Sequence, residues 1–386
     1  MEGNIVNYIT QIRGVSYKPS DLHDSLNKNS IILLRANNIN NGKIDFEDVV
    51  YVDKSKVSET QVLRKNDILI CASSGSKKLV GKAASFNESI ECTFGAFCKV
   101  IRPRNILGSY LSAFFQSEYY RFHISQLANG ANINNIKNEH INSFSIPERS
   151  FEEQKEISYK VSYLNGIIES YNRELDLLDE LIKARFVEMF GDPRINPMNF
   201  HKSRLKDTCD IITGNTPSRK NQEYYGNYIE WIKTDNIVTN KLNPTYAKEN
   251  LSKEGMDVGR IVDKNCILMA CIAGSISSIG KVCVTDRKVA FNQQINAIVP
   301  KKYNCMFLYV LLQVSKEYLV DGINMALKGI LSKSRLEEKQ FIVPPLELQN
   351  QFASFVEEID KSRSRIQKSL EASQELFDSL MQEYFG

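Results

Sequence analysis

The 386-residue sequence has little of what metal-binding, secreted and membrane proteins need. It contains four histidines and eight cysteines, and no two cysteines form a CxxC pair, so we expect free buried thiols in a reducing cytoplasm rather than a zinc site. No run of eighteen apolar residues occurs, so no membrane helix is predicted. The opening residues, MEGNIVNYIT, lack the basic and apolar regions of a signal peptide. We therefore expect a cytoplasmic protein that has no membrane, metal or cofactor partner.

Catalytic motifs are missing as well. No GxGxxG follows a predicted strand, no Walker loop is present, and there is no Asn-Pro-Pro-Tyr type sequence for amino-methylation. The four scattered histidines offer no Ser-His-Asp arrangement. Glu337 and Glu338 could belong to a nuclease carboxylate set, although a solvated helix end is the simpler interpretation. We predict a binding protein with no catalytic residues.

What the sequence does have is an internal repeat. Residues 161–191 and 356–386 superpose at a shift of 195 without a gap, and each ends on Phe-Gly. Apolar residues recur at alternating four- and three-residue steps, as in the seam of a coiled coil, with Arg363 and Ser373 as interruptions of the second copy. One such helix could simply pack on its own domain, but two in register favour pairing within the chain. The predicted seam consists of Ile157, Val161, Leu164, Ile168, Leu175, Leu178 and Ile182, then Phe352, Val356, Ile359, Ile366, Leu370, Phe377 and Leu380.

The segments before these helices also repeat, more weakly. DILICASSGS at 67–76 parallels CILMACIAGS at 266–275, and LRANNI at 34–39 parallels IKTDNI at 232–237. Short β-type runs are separated by turn residues, and we predict strands at 31–34, 68–71, 97–101, 229–232, 267–271 and 295–299, and helices at 106–126 and 305–320.

The predicted fold class is therefore α+β (mixed α/β) with a pseudo-two-fold internal repeat. Two similar globular domains, at 1–150 and 192–345, are joined by two long antiparallel coiled-coil helices at 151–191 and 346–386. A proline-containing stretch at 191–200 is the predicted linker.

Charge is distributed unevenly between these parts. Residues 152–190 hold nine acidic and five basic side chains, and residues 346–386 hold eight and four, so each helix carries −4. Because the chain carries +3, the remainder carries +11. A positive domain surface suits a polyanion such as nucleic acid, although ordinary surface solvation is the alternative.

Helix length gives a second argument. A helix of roughly 35 residues spans about 50 Å, and one turn of B-DNA is about 34 Å. Two domains at opposite ends of an antiparallel helix pair could therefore contact two places on one face of double-stranded DNA. Since the domains differ in sequence, we expect a bipartite and asymmetric target.

An ordered set of short motifs resembles the specificity (S) subunit of type I restriction-modification enzymes, the HsdS family. A proline followed by a Gln-containing helix start occurs twice, at Pro147 with Glu153-Gln154 and at Pro345 with Leu348-Gln349. Between them lie FGDP at 190–193, GNTPS at 214–218 and WIKTDNI at 231–237. The resemblance covers essentially the whole chain.

This resemblance implies that each globular part is a target recognition domain and that the helices are central and C-terminal spacer regions. It also implies partners: two methyltransferase (modification) subunits docked on the helices, and a restriction motor-nuclease subunit. Such a chain has no catalysis of its own and directs adenine methylation and cleavage by those partners. A recognition part of a fused restriction-methylation enzyme and a protein scaffold are the alternatives.

Candidate DNA contacts are polar or basic residues in loops, because Arg, Lys, Asn and Gln dominate base contacts. An ordinary exposed turn is the alternative for each of them. The candidates are Tyr17, Lys18, Arg35, Asn37, Ser74, Ser76, Lys77, Lys78, Asn132, Asn134, Thr216, Arg219, Lys220, Lys233, Thr234, Ser275 and Ser277.

Overall fold

A computed structural model describes residues 2–40, 42–76, 79–130, 135–239, 241–325 and 329–386. The chain forms two compact units, one of Met1–Tyr171 with Ser369–Gly386 and one of Asn172–Lys368. Each unit combines one globular domain with part of both long helices, so the units cut across the four predicted segments.

The first globular domain contains twelve strands and three helices among the described residues. Its strands are β1 (Glu2–Asn4), β2 (Ile9–Arg13), β3 (Leu22–His23), β4 (Ser30–Leu34), β5 (Ile39–Asn40), β6 (Lys43–Ile44), β7 (Val50–Asp53), β8 (Asp67–Cys71), β9 (Ala83–Phe86), β10 (Cys92–Phe94), β11 (Cys98–Pro103) and β12 (Ser145–Pro147). Its helices are α1 (Gly108–Gln116), α2 (Glu118–Gly130) and α3 (Asn138–Asn142), and the long helix α4 (Phe151–Phe190) follows.

Two four-stranded sheets pack face to face in this domain. One is antiparallel with the order β2-β11-β8-β9, and the other has the order β10-β4-β7-β3 with β10 and β4 parallel. The apolar run of β8 is buried on both faces: Ile68 and Ile70 pack with the helices, while Leu69 and Cys71 pack with the second sheet. Side chains alternate between the faces of a strand, so the four residues of β8 that are covered on both sides, Ile68 to Cys71, are all apolar.

The second globular domain repeats this plan. Its strands are β13 (Lys202–Arg204), β14 (Cys209–Thr213), β15 (Tyr225–Gly226), β16 (Ile229–Ile232), β17 (Asn250–Leu251), β18 (Ile261–Val262), β19 (Ile267–Ala270), β20 (Ile272–Ala273), β21 (Val282–Val284), β22 (Val289–Phe291), β23 (Ile295–Pro300), β24 (Gly329–Ile330) and β25 (Gln340–Ile342). Its helices are α5 (Leu205–Thr208), α6 (Lys253–Val258), α7 (Cys305–Val314), α8 (Lys316–Val320) and α9 (Lys333–Glu338), followed by the long α10 (Leu346–Phe385).

The antiparallel four-stranded sheet of the second domain matches that of the first strand for strand, whereas the other sheet has five strands, because β18 is added at the edge beside β22. The order β14-β23-β19-β21 corresponds to β2-β11-β8-β9, and the parallel pair β16 and β22 corresponds to β4 and β10. In both domains an antiparallel pair, β1 with β12 and β13 with β25, joins the domain's first strand to the strand before a long helix. The predicted α+β class and internal repeat are confirmed.

Two predicted helices are each broken in two. The stretch predicted at 106–126 divides into α1 and α2 at Ser117, and the stretch at 305–320 divides into α7 and α8 at Ser315. Ser117 has an extended backbone, its hydroxyl donates to Phe114 O (2.7 Å), and it accepts from Tyr120 N (3.2 Å). A serine side chain can thus satisfy backbone groups where a helix is interrupted, which apolar periodicity does not reveal.

Within each unit the parts of α4 and α10 run antiparallel. In the second unit Phe186 of α4 packs on Phe352 of α10 with ring centroids 5.5 Å apart. Asp179, which lies earlier in α4, pairs with Arg363, which lies later in α10, so the two helices run in opposite directions. In the first unit Ile157 shares a hydrophobic core with Met381. Every predicted seam residue is buried or half-buried. Arg363, which interrupts the apolar pattern of α10, forms an ion pair with Asp179 of α4.

The Phe-Gly sequences at the helix ends have equivalent roles in the two units. Phe385 packs on Tyr110 of the first domain with ring centroids 5.2 Å apart, and Phe190 packs on Phe307 of the second domain at 4.9 Å. Both phenylalanines are almost fully buried. The end of α10 therefore completes the core of the first domain as the end of α4 completes that of the second.

Candidate functional site

Most of the predicted contact residues lie on one face of each domain. We call β2, β4 and β8 the first, second and third core strands of the first domain, and β14, β16 and β19 those of the second domain. The four segments of each face follow these three strands and the strand that runs parallel to the second one, which is β10 or β22. We name them loop face 1, which comprises residues 14–18, 35–37, 72–76 and 95–97, and loop face 2, which comprises residues 214–220, 233–236, 271–278 and 292–294.

The turn at 95–97 holds loop face 1 together through its backbone. Its N–H groups donate to Leu34 O and Val15 O, and its last carbonyl accepts from the N–H groups of Ala72 and Ser73, all at 2.9 Å. Each of the other three segments is thus tied to this one turn, because satisfied backbone groups fix loops as they fix regular elements.

The turn at 292–294 ties two of the other three segments of loop face 2 in a similar way, while the first segment is held beside the turn by Asn215 N, which donates to Phe291 O (3.2 Å). The first N–H of the turn donates to Ile232 O (3.0 Å), and the carbonyl of Gln294 accepts from Cys271 N (2.8 Å) and Ile272 N (3.3 Å). The two faces therefore share a backbone frame while their side chains differ.

Close backbone contact explains the glycine at the start of each face. A Cβ on Gly14 would lie 2.1 Å from Gly95 O, and one on Gly214 would lie 2.1 Å from Asn292 O. Any other residue would push the first segment away from the central turn.

Loop face 1 encloses a cavity of about 300 Å³ that brings four predicted residues together. Tyr17, Arg35, Asn37 and Ser74 all line it. Lys18 and Ser76 are exposed beside it, and Ser76 N donates to Ser74 Oγ (3.1 Å). Hydroxyl, amide and guanidinium groups around one cavity can hydrogen-bond to base edges or phosphates.

An aspartate organises the donors of loop face 1. Arg35 Nη2 donates to Asp48 O (2.8 Å) and Asp48 Oδ2 (3.0 Å), and Asn37 Nδ2 donates to the same Oδ2 (2.9 Å). Nε of Arg35 is buried and has no hydrogen-bond partner in the part of the chain that the structure describes. A buried donor without a partner is costly.

Two basic side chains of loop face 2 cluster with aromatic side chains that lie next to it. The guanidinium of Arg219 lies 4.5 Å from the ring centroid of Tyr225 and 5.2 Å from that of Trp231, and Lys233 Nζ lies 4.9 Å from the Trp231 ring. Glu249 pairs with both Arg219 and Lys233. These cation–π and ionic contacts hold two predicted cations side by side.

The hydrogen bond from Arg219 is the main reason that the pKa of Glu249 falls, and with Lys233 it lowers that pKa to about 2. Glu249 is thus ionised throughout the neutral range and keeps both cations in place. Its geometric counterpart is Asp48, since each acid pairs with the basic residue that follows the second core strand.

The remaining predicted residues of loop face 2 are more dispersed. Thr216 is hydrogen-bonded to Gln293 of the central turn, and Thr234 begins a single 3-10 turn. Lys220 is exposed. Ser275 and Ser277 share a hydrogen bond of 3.0 Å in the loop after β20. Among these predicted residues, Arg219 and Lys233 share one partner, Glu249.

Four predicted residues, Lys77, Lys78, Asn132 and Asn134, lie outside the described residues. Several residues that lie in the loop faces or contact them are not among the predicted ones: Asp48, Phe97, Tyr225, Trp231, Glu249 and Gln293. Trp231 lies within a repeated motif, and Phe97 and Gln293 lie in the equivalent turns before β11 and β23. The two acids are far in sequence from the cations they pair with, so no local pattern marks them.

No metal or membrane site emerges from the described residues. They contain no group of three His, Cys, Asp or Glu side chains able to hold a metal ion, and none of their helices is long and apolar enough to cross a membrane. The cysteines are free, and seven of the eight are buried. Burial raises the pKa of Cys71 to about 11 and that of Cys209 to about 12, which makes these thiols unreactive.

The glutamine in each repeated Pro…Gln motif fixes a long helix to its domain. Gln154 accepts from Leu107 N (2.9 Å) at the start of α1 and donates to Arg149 O (2.8 Å). Gln349 accepts from Asn304 N (2.9 Å) at the start of α7 and donates to Pro344 O (2.8 Å). Both glutamines are buried, so this motif has a structural purpose in both units.

Comparison with known proteins confirms the resemblance noted in the sequence. Residues 197–374 match the family model of the type I restriction modification DNA specificity domain. The specificity subunits of the type I restriction enzymes StySPI from Salmonella potsdam and EcoKI from Escherichia coli K12 are each 42% identical over 175 residues, or 45% of this chain. The match spans 38% of the length of each of these relatives. A putative MjaX specificity subunit from Methanocaldococcus jannaschii is 23% identical over 87% of this chain and 84% of its own length.

Solved structures extend the likeness in fold to the whole chain. The S subunit of a type I restriction-modification system from M. genitalium covers 100% of this chain and 96% of its own with a TM-score of 0.59 at 13% identity. A structure from work on complex assembly and conformational transition of the type I R-M system covers 98% and 97% with a TM-score of 0.52 at 16% identity. At these identities the likeness concerns the fold.

Proposed function

We propose that this chain, whose residues 197–374 match the family model of the type I restriction modification DNA specificity domain, is a non-catalytic subunit that reads a bipartite, asymmetric DNA target for partner enzymes. The observation that carries the proposal is the repeated loop face. Two domains present one backbone frame with different polar and aromatic side chains, and such an arrangement suits two unlike half-sites.

The chemistry of the faces supports DNA as the ligand. Arg35 and Asn37 lie side by side in loop face 1, and Arg219 and Lys233 do so in loop face 2. Arginine and lysine suit guanine edges and phosphates, and asparagine suits adenine. Each face therefore has groups for both positioning on the backbone and reading bases.

The long helices are the proposed docking place for two methyltransferase subunits, and a restriction motor-nuclease subunit would join that complex. The helix repeat at a shift of 195 supports two equivalent docking places. Exposed aromatic side chains support a protein partner: Tyr159 and Tyr163 of α4 stack with ring centroids 6.1 Å apart and are 69% and 60% exposed. Large exposed apolar groups close together are typical of interaction surfaces.

Methylome sequencing of a host that carries this chain with a methyltransferase partner tests the proposal. The expected result is a split adenine motif that disappears when the gene for this chain is deleted and returns on complementation. A motif unaffected by the deletion would contradict the proposal. Lack of DNA affinity in the reconstituted complex would favour a scaffold, and S-adenosylmethionine binding by the isolated chain would favour a fused enzyme part.

A further inference from the structure

Phe97 is an exposed aromatic side chain within an otherwise polar surface. Phe97 is 70% exposed, whereas the nearby Phe94 and the adjacent Cys98 are buried. It lines the cavity of loop face 1 together with Tyr17, Arg35 and Asn37. Leaving a large apolar ring in water forgoes the stabilisation of burial, and the folded domain gains nothing from its exposure.

The backbone of Phe97 is fixed although its side chain is free. Its carbonyl accepts hydrogen bonds of 2.9 Å from the N–H groups of Ala72 and Ser73, so the ring projects from the rigid centre of loop face 1. A ring held in this way can contact a ligand without first being ordered.

The equivalent position in loop face 2 has a different chemistry. Gln294 has the same backbone contacts, because its carbonyl accepts from Cys271 N (2.8 Å) and Ile272 N (3.3 Å). The repeat thus places an aromatic ring at one central turn and a primary amide at the other. An amide suits an adenine edge, whereas the apolar group that the major groove offers is the C5-methyl of thymine.

We propose that Phe97 contacts the C5-methyl group of a thymine in the half-site read by the first domain. This inference rests on the proposed function and deepens it, since it names a base feature for one residue. It also accounts for how one backbone frame distinguishes two half-sites: the side chain at the central turn differs between them.

The test uses the full chain in complex with its methyltransferase and the split target identified by methylome sequencing. Each thymine of the first half-site is replaced in turn by deoxyuridine, which removes only the methyl group. For the unmodified chain, one such replacement is expected to weaken binding about fourfold, the equivalent of one buried methyl group. The Phe97→Ala variant is expected to bind both duplexes equally.

Leu26→Ala is the matched control, because Leu26 is 55% exposed and precedes β4, whereas loop face 1 follows it. This variant is expected to keep the fourfold discrimination. The inference is overturned if every deoxyuridine duplex binds like the thymine duplex, or if Phe97→Ala still discriminates. If the unsubstituted duplex, which keeps all its thymines, does not bind specifically, the proposed function is overturned, and this inference with it.

Discussion

An acidic side chain holds the basic groups of each loop face, which is unusual for a surface proposed to meet DNA. Asp48 bonds to Arg35 and Asn37, and Glu249 bonds to Arg219 and Lys233. These acids either keep the cations away from phosphates until DNA binds or orient them toward base edges. The two roles differ in their effect on salt dependence.

Replacing Glu249 with glutamine separates these roles. If Glu249 restrains the cations, Glu249→Gln frees two of them for phosphates, and the slope of log affinity against log salt steepens by up to about 2. Fluorescence anisotropy with non-specific duplex across a salt series measures this slope. Glu223→Gln removes the same charge from an exposed position outside the ion pairs of the described residues, and its slope should stay unchanged. If Glu249→Gln weakens specific binding and leaves the slope unaltered, the role of Glu249 is to orient the two cations toward base edges.

A buried lysine gives the first domain a pH-dependent stability. Lys99 Nζ donates to Gln11 Oε1 (3.0 Å) and Asn138 Oδ1 (2.6 Å), and the part of the chain that the structure describes provides it with no ion pair. Burial lowers the pKa of Lys99 to about 8. An unfolded lysine titrates near pH 10.4 (about that value in model peptides), so between about pH 8 and pH 10 the unfolded state binds more protons and stability rises with pH. Below about pH 8 Lys99 is charged in both the folded and the unfolded state, so the destabilisation caused by burying its charge is at its maximum and does not change with pH.

Lys99→Met is therefore expected to stabilise the chain by about 1–2 kcal/mol at pH 7 and to lose this advantage by about pH 10. Urea unfolding at pH 7, 9 and 10 measures the difference. The exposed Lys155→Met on α4 should show no such trend. If the difference in free energy of unfolding between Lys99→Met and the unmodified chain stays constant with pH, the lowered pKa of Lys99 is contradicted.

Among the elements, the long helices depend on their buried glutamines. Gln154→Leu leaves the N–H of Leu107 and the carbonyl of Arg149 without partners, at a cost of about 1–3 kcal/mol for a buried unsatisfied group. We expect Gln154→Leu and Gln349→Leu to lower the free energy of unfolding by about 2 kcal/mol each. Chemical denaturation measures this, with the exposed Gln351→Leu as control. Equal stability of all three variants would disprove the structural role.

The ion pair in the helix seam makes a different prediction. Arg363 interrupts the apolar seam and pairs with Asp179, and their side chains are 14% and 29% exposed. Arg363→Leu would leave Asp179 unpaired, and we expect a loss of about 1–2 kcal/mol. Adding Asp179→Ala should recover most of it, because two well-packed apolar groups can replace a buried pair. A double-mutant cycle, followed by chemical denaturation, measures the coupling between Arg363 and Asp179. If the effects of the two substitutions on the free energy of unfolding are simply additive, the prediction is contradicted.

The elements also indicate what the sequence could reveal. Strands such as β8 and the two long helices follow from apolar periodicity, since burial dictates which positions are apolar. Apolar periodicity does not reveal the breaks at Ser117 and Ser315, and at Ser117 the break depends on a hydroxyl hydrogen bond that leaves no periodic signal. In the loop faces, the cations were predictable by residue type, whereas Asp48, Glu249 and Phe97 were not. Their roles depend on contacts between segments far apart in the chain.

For the whole molecule, the repeat makes each domain an internal control for the other. Arg35 and Lys233 occupy equivalent positions after the second core strand, and each pairs with an acid. If each domain reads its own half-site, a change in one domain should alter recognition of one half of the target only. Coupled readout by both domains would instead affect both halves together.

Arg35→Ala and Lys233→Ala are the variants for this prediction, each tested with the methyltransferase partner in a methylome assay. We expect Arg35→Ala to relax one or two base positions in one half of the split motif and Lys233→Ala to relax positions in the other half, at about 1–3 kcal/mol per lost base contact. Ser55→Ala, at an exposed turn outside loop face 1, should leave the motif unchanged. Since the two half-sites lie in one recorded motif, each variant reports on its own half while the other half serves as the reference. Relaxation of both halves by either variant would mean that the domains do not read independently, and the repeated loop faces would then have to act as a single surface.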